Sequence, residues 1–297
     1  MPDDRLERIK TLTIIALVSD DDLMERLVLK GGNALRLIHG MPVRQSLDLD
    51  FSLDGDWGPI KEVRAKVERL LIETFKSEGL TVFDIKLSNA PPNVIEDIVG
   101  EFWGGYTLEF KVMPVKDFDK LALKPHKRRL QAMELGADGR RAFTVDISKH
   151  EYCVGKVRRE IEDFNVFVYS GLMIACEKVR AICQQMADYR AIVKSSTQRP
   201  RARDFFDIHY LVTKGEVNLT SDAAWETLKR VFAAKRVPLR FLAEISAERE
   251  FHRENFAAVV DTVDPSITLE NFDFYADFLV EKLQALQPRW EVNPPAG

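Results

Sequence analysis

Two carboxylates and two glycines, close together in the chain, have the residue types and the spacing that phosphate chemistry needs. Residues 44–51 read RQSLDLDF, in which polar and apolar residues alternate as they do along a half-buried strand. Successive side chains of a strand point to opposite faces, so Asp48 and Asp50 are expected on one face and the leucines in the core. Asp is depleted in strands, which favours a function for the pair over the alternative of two solvated aspartates. Two such carboxylates can hold Mg²⁺.

Gly31 and Gly32 are expected to supply the other half of the site. They follow a short strand predicted over residues 27–29 and open a predicted helix. A glycine turn into a helix presents bare backbone N–H groups and the positive end of the helix dipole to a phosphate. In two-metal sites, a carboxylate pair stabilises the attacking and the leaving oxygens of an in-line displacement. Together the two segments predict nucleotidyl transfer from an NTP, with Mg²⁺ as the cofactor.

The elements that position these residues form a mixed α/β region. Apolar spacing predicts one or two helices over residues 4–26 and a long amphipathic helix over residues 60–75. Alternating residues predict three more strands, at 81–87, 106–112 and 141–147. From residue 170 onward the patterns are helical. The candidate helices are 172–186, 205–211, 223–235, 238–245, 248–260 and 269–286, followed by an irregular tail over 288–295.

The length of 297 residues favours two domains. We place the boundary so that residues 1–165 form an α+β catalytic domain with a mixed sheet and residues 166–297 form a helical domain. A formal net charge of −4 provides no overall attraction to nucleic acid, so any RNA contact must come from a local patch. No segment is apolar enough to span a bilayer, no basic leader precedes an apolar run, and a cytoplasmic protein is expected.

Several other chemistries lose their usual sequence evidence. The chain contains no H-E-x-x-H, Walker A or G-x-G-x-x-G pattern. Cys153, Cys176 and Cys183 lack C-x-x-C spacing, and buried apolar positions are favoured for them over metal ligation. His209 shares a predicted helix with two phenylalanines and is interpreted as a core histidine.

A compact basic run, KPHKRR, occupies residues 124–129. On composition alone such a run is more often a solvated face than a binding site. Its position beside the predicted catalytic elements makes it the candidate RNA contact. The candidate residues are Lys124, Lys127, Arg128 and Arg129.

Four motifs in order resemble the AbiEii/MenT-type nucleotidyltransferase toxins, within the DNA polymerase β-like nucleotidyltransferase superfamily. They are KGGNALR at residues 30–36, RQSLDLDF at 44–51, EKVRA at 177–181 and RARDFFDI at 201–208. Asn33 stands where Thr is commoner in the family and preserves a short polar side chain. The resemblance implies a polymerase β-like catalytic lobe and a helical lobe that completes its cleft.

The resemblance also implies site residues. Asp48 and Asp50 would bind the metal, with a third carboxylate from a nearby strand, for which Asp146 is preferred and Glu109 is the alternative. Lys178 would neutralise nucleotide phosphates, although a lysine lying along the helix surface for packing alone is the alternative. Asp204 would act in the site, against the alternative of a helix N-cap. The candidate phosphate contacts are Gly31, Gly32, Arg36, Arg44 and Ser46.

For function, the resemblance implies transfer of a nucleoside monophosphate to RNA, with the 3′ end of tRNA as the expected acceptor and a cognate antitoxin as partner. Two alternatives stay open. The same site could nucleotidylate a protein, or the chain could be a nucleotide-binding module that does not turn over. An RNA acceptor predicts activity that depends on the basic run and falls steeply with salt.

Overall fold

The computed structural model describes residues 4–35, 40, 48–92, 100–135, 139–194, 196–215, 217–263 and 266–292. Contacts divide them into two compact units. The first unit contains the described residues up to 34, from 48 to 92 and from 103 to 168, and the second contains the others. The chain has the α+β architecture expected from the sequence, with a mixed sheet and many helices.

The first unit is built on a seven-stranded sheet with the order β3-β4-β5-β2-β1-β7-β6. Strand β2 runs antiparallel to β1 and parallel to β5, and β1 also pairs in parallel with β7. Strands β3, β4 and β5 pair in antiparallel fashion. The strands are β1 Leu27–Lys30, β2 Leu49–Leu53, β3 Leu80–Ala90, β4 Gly105–Pro114, β5 Phe143–Ser148, β6 Lys156–Ile161 and β7 Phe164–Tyr169.

Alternation places one face of the central strands in the core, as predicted. Leu49 and Phe51 of β2 are fully buried, while Asp50 between them points to the opposite face. The long helix predicted from apolar spacing is confirmed, and Gly79 then turns the chain into β3 with a φ of +67°. The helices of this unit are α1 Asp4–Val18, α2 Asp21–Arg26, α3 Gly31–Asn33, α4 Ile60–Lys76, α5 Val115–Lys120 and α6 Pro125–Gln131.

The second unit is helical. Its α-helices are α7 Gly171–Cys183, α8 Ala202–Thr213, α9 Asp222–Ala234, α10 Arg249–Arg253, α11 Ala257–Val260, α12 Phe272–Gln284 and α13 Gln287–Val292. Ser170, Ser221 and Asn271 are N-caps whose side chains accept an N–H bond from the first turn of α7, α9 and α12.

Four local predictions were wrong. The helix expected over 248–260 is split into α10 and α11, because the Asn255 side chain bonds the backbone of Pro200 and Ala202 instead. The segment 238–245 forms a 3₁₀ helix over Leu239–Ala243. The expected irregular tail begins with helix α13, in which Pro288 occupies the first turn, where a backbone N–H is not needed. Strands β6 and β7 were missed, and β6 is a charged edge strand in which no residue is buried.

Candidate active site

One row of polar residues crosses four neighbouring strands of the sheet. Asp50 of β2 is the register partner of Lys30 in β1 and of Asp146 in β5. Asp146 is in turn the partner of Thr107 in β4. Register partners on adjacent strands point to the same side of a sheet, so these four side chains share one face. The structure therefore brings Asp50 and Asp146 side by side.

The glycine turn lies directly against this row. Gly31 has a φ of +70°, and a Cβ built on it would be only 2.8 Å from Oδ2 of Asp50. Glycine is required here both for its backbone conformation and for the space that the carboxylate occupies. Asn33 is buried, and its Nδ2 donates to the main-chain oxygen of Asp48 at 2.5 Å. The start of α3 is thus tied to the start of β2.

Asp48 lies one residue before β2 and has a different setting from Asp50. Its Oδ1 is 2.9 Å from Nη1 of Arg140, and the two side chains are 41% and 32% exposed. Arg140 belongs to the segment that leads into β5. The sequence alone did not identify this arginine, which is separated from Asp48 by 92 positions.

Asp146 is held by a hydrogen bond from the Thr107 hydroxyl to its Oδ1, at 3.1 Å. Desolvation raises the pKa of this carboxyl above its usual value, the Thr107 bond lowers it, and the negative charges of Asp48 and Glu109 raise it further. Lys30 acts in the opposite direction. The alternative third carboxylate, Glu109, pairs with Thr144 further along β4 and does not sit beside Asp50.

Lys30 is a charged member of the row that sequence reasoning did not assign to the site. It is 7% exposed, and its ammonium lies 3.4 Å from Ser148 Oγ and 3.4 Å from Glu151 Oε1. The sequence feature that could have indicated Lys30 is its position at the end of an apolar strand, directly before two glycines. Its positive charge sits within the acidic row, where it offsets the repulsion between the carboxylates.

The oxygen ligands of the row fit Mg²⁺. Among the described residues, no group of three or more His, Cys, Asp or Glu side chains is close enough to hold a metal ion. Magnesium commonly takes only one or two protein carboxylates and completes its shell with substrate phosphates and water. Asp50 and Asp146 meet that requirement. To bind the metal as well, the Asp48 carboxylate would have to give up its contact with Arg140.

Lys178 and Asp204 come together in the second unit. Nζ of Lys178, on α7, is 2.7 Å from Asp204 Oδ1 and 2.7 Å from Asp207 Oδ2, both on α8. All three side chains are at most 7% exposed. Asp204 is the third residue of α8 and follows Arg201 at the N-cap position, so Asp204 is not the N-cap. These residues form a buried ionic cluster, which we call the Lys178 cluster.

His252 packs beside the Lys178 cluster. It is fully buried, its ring lies 5.3 Å from that of Phe205, and its Nδ1 accepts the backbone N–H of Arg201. Burial lowers the pKa of His252 to about 4, with a smaller opposite effect from Asp204. The side chain of Arg201 also reaches Asp204, at 3.4 Å.

A comparison with protein families identifies the family to which this chain belongs. The model of the nucleotidyl transferase AbiEii toxin family, type IV toxin–antitoxin system, matches residues 15–290. The chain belongs to the AbiEii family. Membership of a toxin–antitoxin family implies a cognate antitoxin as a partner. No curated protein matches.

Three solved structures are similar to this AbiEii protein. A Helicobacter pylori protein, provisionally described as a nucleotidyltransferase, is 17% identical, with a TM-score of 0.46 over 98% of this chain and 97% of that one. JHP933 from Helicobacter pylori is 17% identical, with a TM-score of 0.45 over 97% and 93%. An antigenic nucleotidyltransferase-like protein from Paracoccidioides brasiliensis is 16% identical, with a TM-score of 0.38 over 90% and 97%.

The basic run of the AbiEii protein divides into two kinds of side chain. Arg128 donates twice to the main-chain oxygen of Phe118, at 3.0 and 2.9 Å, and lies over its ring. Arg129 makes a two-pronged contact with Asp84, at 2.7 and 3.2 Å, which raises the pKa of the guanidinium. Lys124 and Lys127 are exposed. Arg129 is exposed as well, so Lys124, Lys127 and Arg129 all face solvent, and Arg129 is held by Asp84.

Gly32 is buried at the start of α3, whereas Arg36, Arg44 and Ser46 lie outside the described residues. The three cysteines are free and buried, as expected. His209 contacts the rings of residues 274, 275 and 278 and takes no part in the row. No helix in the described part of the chain is long and apolar enough to cross a membrane.

Proposed function

We propose that this AbiEii protein is a Mg²⁺-dependent nucleotidyltransferase that moves a nucleoside monophosphate from an NTP to the 3′ end of a tRNA and releases pyrophosphate. The observation that carries the proposal is the pairing of Asp50 with Asp146 beside the Gly31 turn. Two carboxylates on one face supply the oxygen ligands that Mg²⁺ prefers, and the family is one of nucleotidyltransferases.

Each residue of the row has a defined task in this reaction. Bound Mg²⁺ would supply Lewis-acid stabilisation of the charge that develops on the phosphate oxygens. Thr107 fixes the orientation of Asp146, which faces the same side of the sheet as Asp50 and would take the proton of the attacking hydroxyl. The hydroxyl oxygen bonds to the α-phosphorus as the bond to the β-phosphate oxygen breaks. Lys30 keeps the neighbouring carboxylates from repelling one another.

An RNA acceptor is supported by the exposed lysines of the basic run together with the family resemblance. Lys124 and Lys127 present positive charge from α6 and its N-cap, in a chain whose net charge is −4. Lysines bind phosphate oxygens without regard to base sequence, which suits contact with an RNA backbone. Arg128 and Arg129 would support this surface by holding α6 against Phe118 and Asp84.

The direct test incubates the purified protein and Mg²⁺ with each labelled NTP, in the presence of total tRNA or of a protein lysate. We expect label in the tRNA fraction, at the 3′ end, with wild-type protein and not with Asp50→Asn. Label in the protein fraction would contradict the proposed acceptor. Label in neither fraction, with any NTP, would contradict nucleotidyl transfer.

A second test addresses the RNA surface. The Lys124→Glu/Lys127→Glu variant should need more tRNA for half-maximal activity, and its salt dependence should lose a slope of about 2, because each phosphate contact contributes nearly one. The Lys61→Glu/Lys76→Glu variant is the matched control, since both lysines are exposed and lie on α4. Equal tRNA dependence in the two variants would remove the basic run from the acceptor path.

A further inference from the structure

We propose that Arg140 binds the triphosphate of the incoming nucleotide, and that its contact with Asp48 belongs to the nucleotide-free state. This inference rests on the proposed function. Asp48 is joined to the glycine turn through its backbone, because Asn33 donates to its main-chain oxygen at 2.5 Å. The carboxylate of Asp48 in turn contacts Arg140 at 2.9 Å. Arg140 is thus linked by two contacts to the turn that we expect to receive the phosphates.

Exposure separates Arg140 from Lys30, the cation of the row. Lys30 is 7% exposed and is held between Ser148 and Glu151, so a substrate cannot reach it without a rearrangement of the core. Arg140 is 32% exposed, and its backbone is anchored where its carbonyl accepts the N–H of Leu135 at 2.8 Å. Part of the Arg140 side chain is therefore open to a ligand, while its main chain is held in place.

If Asp48 binds a metal ion in place of Arg140, the guanidinium takes a new partner, and its chemistry favours phosphate. A bound divalent cation is a stronger partner for the Asp48 carboxylate than one partly exposed guanidinium, since ion pairs near the surface contribute little. When Asp48 turns to the cation, the guanidinium remains beside the nucleotide. Its planar donors match two phosphate oxygens at once, which a lysine cannot do.

The test uses Arg140→Gln and Arg140→Lys, with Arg69→Gln as the matched control. Arg69 also pairs with a carboxylate, Glu73, at 3.2 Å, but on the exposed side of α4. Arg140→Gln should raise the KM for the NTP about tenfold with little change in kcat, since a charged hydrogen bond is lost. Arg140→Lys should give an intermediate KM, because the charge returns without the two-pronged geometry.

A second readout does not depend on activity. Mn²⁺ binding to the nucleotide-free protein, followed by the paramagnetic signal of the free ion, should tighten about threefold in Arg140→Gln, because the guanidinium that contacts the Asp48 carboxylate is removed. Unchanged KM and Mn²⁺ affinity, or a change in only one of them, would overturn the proposal. Thermal melting of all variants verifies that they are folded. Absence of label transfer by the wild type would instead contradict the proposed function, and the Mn²⁺ measurement would still report on Arg140 and Asp48.

Discussion

Aspartates occur in opposite settings in the two units of the molecule. In the first unit, Asp48 is 41% exposed and Asp50 and Asp146 lie beside a glycine turn on one face of the sheet. In the second, Asp204 and Asp207 surround Lys178 at 2.7 Å and are at most 7% exposed. Solvent-exposed charges exchange partners at little energetic cost, whereas removing one member of a buried ionic cluster leaves charge in a poorly polarisable interior. The first setting suits ligand binding, and the second suits fixed packing.

The largest effect is expected from breaking the Lys178 cluster. Lys178→Met removes the ammonium that both carboxylates contact and should lower the free energy of unfolding by about 3–5 kcal/mol. Urea denaturation measures this loss. The triple variant with Asp204→Asn and Asp207→Asn should recover most of the stability, because the three charges of the cluster are removed together. Unchanged stability together with weaker NTP binding would show instead that the ammonium serves the nucleotide, as the family resemblance implies.

In the polar row of the sheet, we expect a large loss of activity and little loss of stability. Asp50→Asn keeps the side-chain volume, so the free energy of unfolding should stay within about 0.5 kcal/mol of wild type. Nucleotide transfer should fall about 10²- to 10³-fold, because a charge that stabilises the transition state is lost. Label transfer and urea denaturation are measured on the same samples, with the exposed Asp119→Asn as the control. Activity above about a tenth of wild type would disprove the metal site.

Acidification should weaken the second unit through His252. Its pKa is about 4 in the folded protein and about 6.5 when unfolded, so the unfolded state binds more protons between these values. Lowering the pH from 7.5 to 5 should therefore cost about 2 kcal/mol of stability from this residue. Urea denaturation at both pH values gives the difference. His252→Gln should remove this contribution, and the exposed His126→Gln should not. If the free energy of unfolding of His252→Gln changes with pH as much as that of wild type, the pH dependence belongs to other groups.

The smallest effect is expected at the glycine turn. Gly31→Ala places a methyl group 2.8 Å from the Asp50 carboxylate and forces a positive φ on alanine, which should cost about 1–2 kcal/mol. Because Asp50 must shift, transfer activity should fall by more than the stability loss explains. Gly58→Ala is the control, since nothing lies within 4 Å of its Cβ position. If Gly31→Ala has the same melting temperature and label transfer as Gly58→Ala, the turn tolerates a side chain.

The sequence predicted those features that depend on local periodicity. Strand β2 and helix α4 follow from alternation and from helical spacing of apolar residues. The pairing of Asp50 with Asp146 depends on the order of strands in the sheet, which local patterns do not encode. The same limit applies to Arg140, whose contact with Asp48 joins distant segments. The family motifs identified Lys178 and Asp204 as important, but their burial against each other is a tertiary property.

The route of the chain between β4 and β5 has a consequence for how such proteins can diverge. These strands are antiparallel neighbours, so the chain leaves the sheet, forms α5 and α6, and returns beside its point of departure. A connection of this kind can change in length and composition without altering strand register. The basic helix and the carboxylate row can therefore evolve separately. If the proposed roles of the two regions hold, exchanging residues 115–131 between relatives should change acceptor choice and leave nucleotide transfer in place.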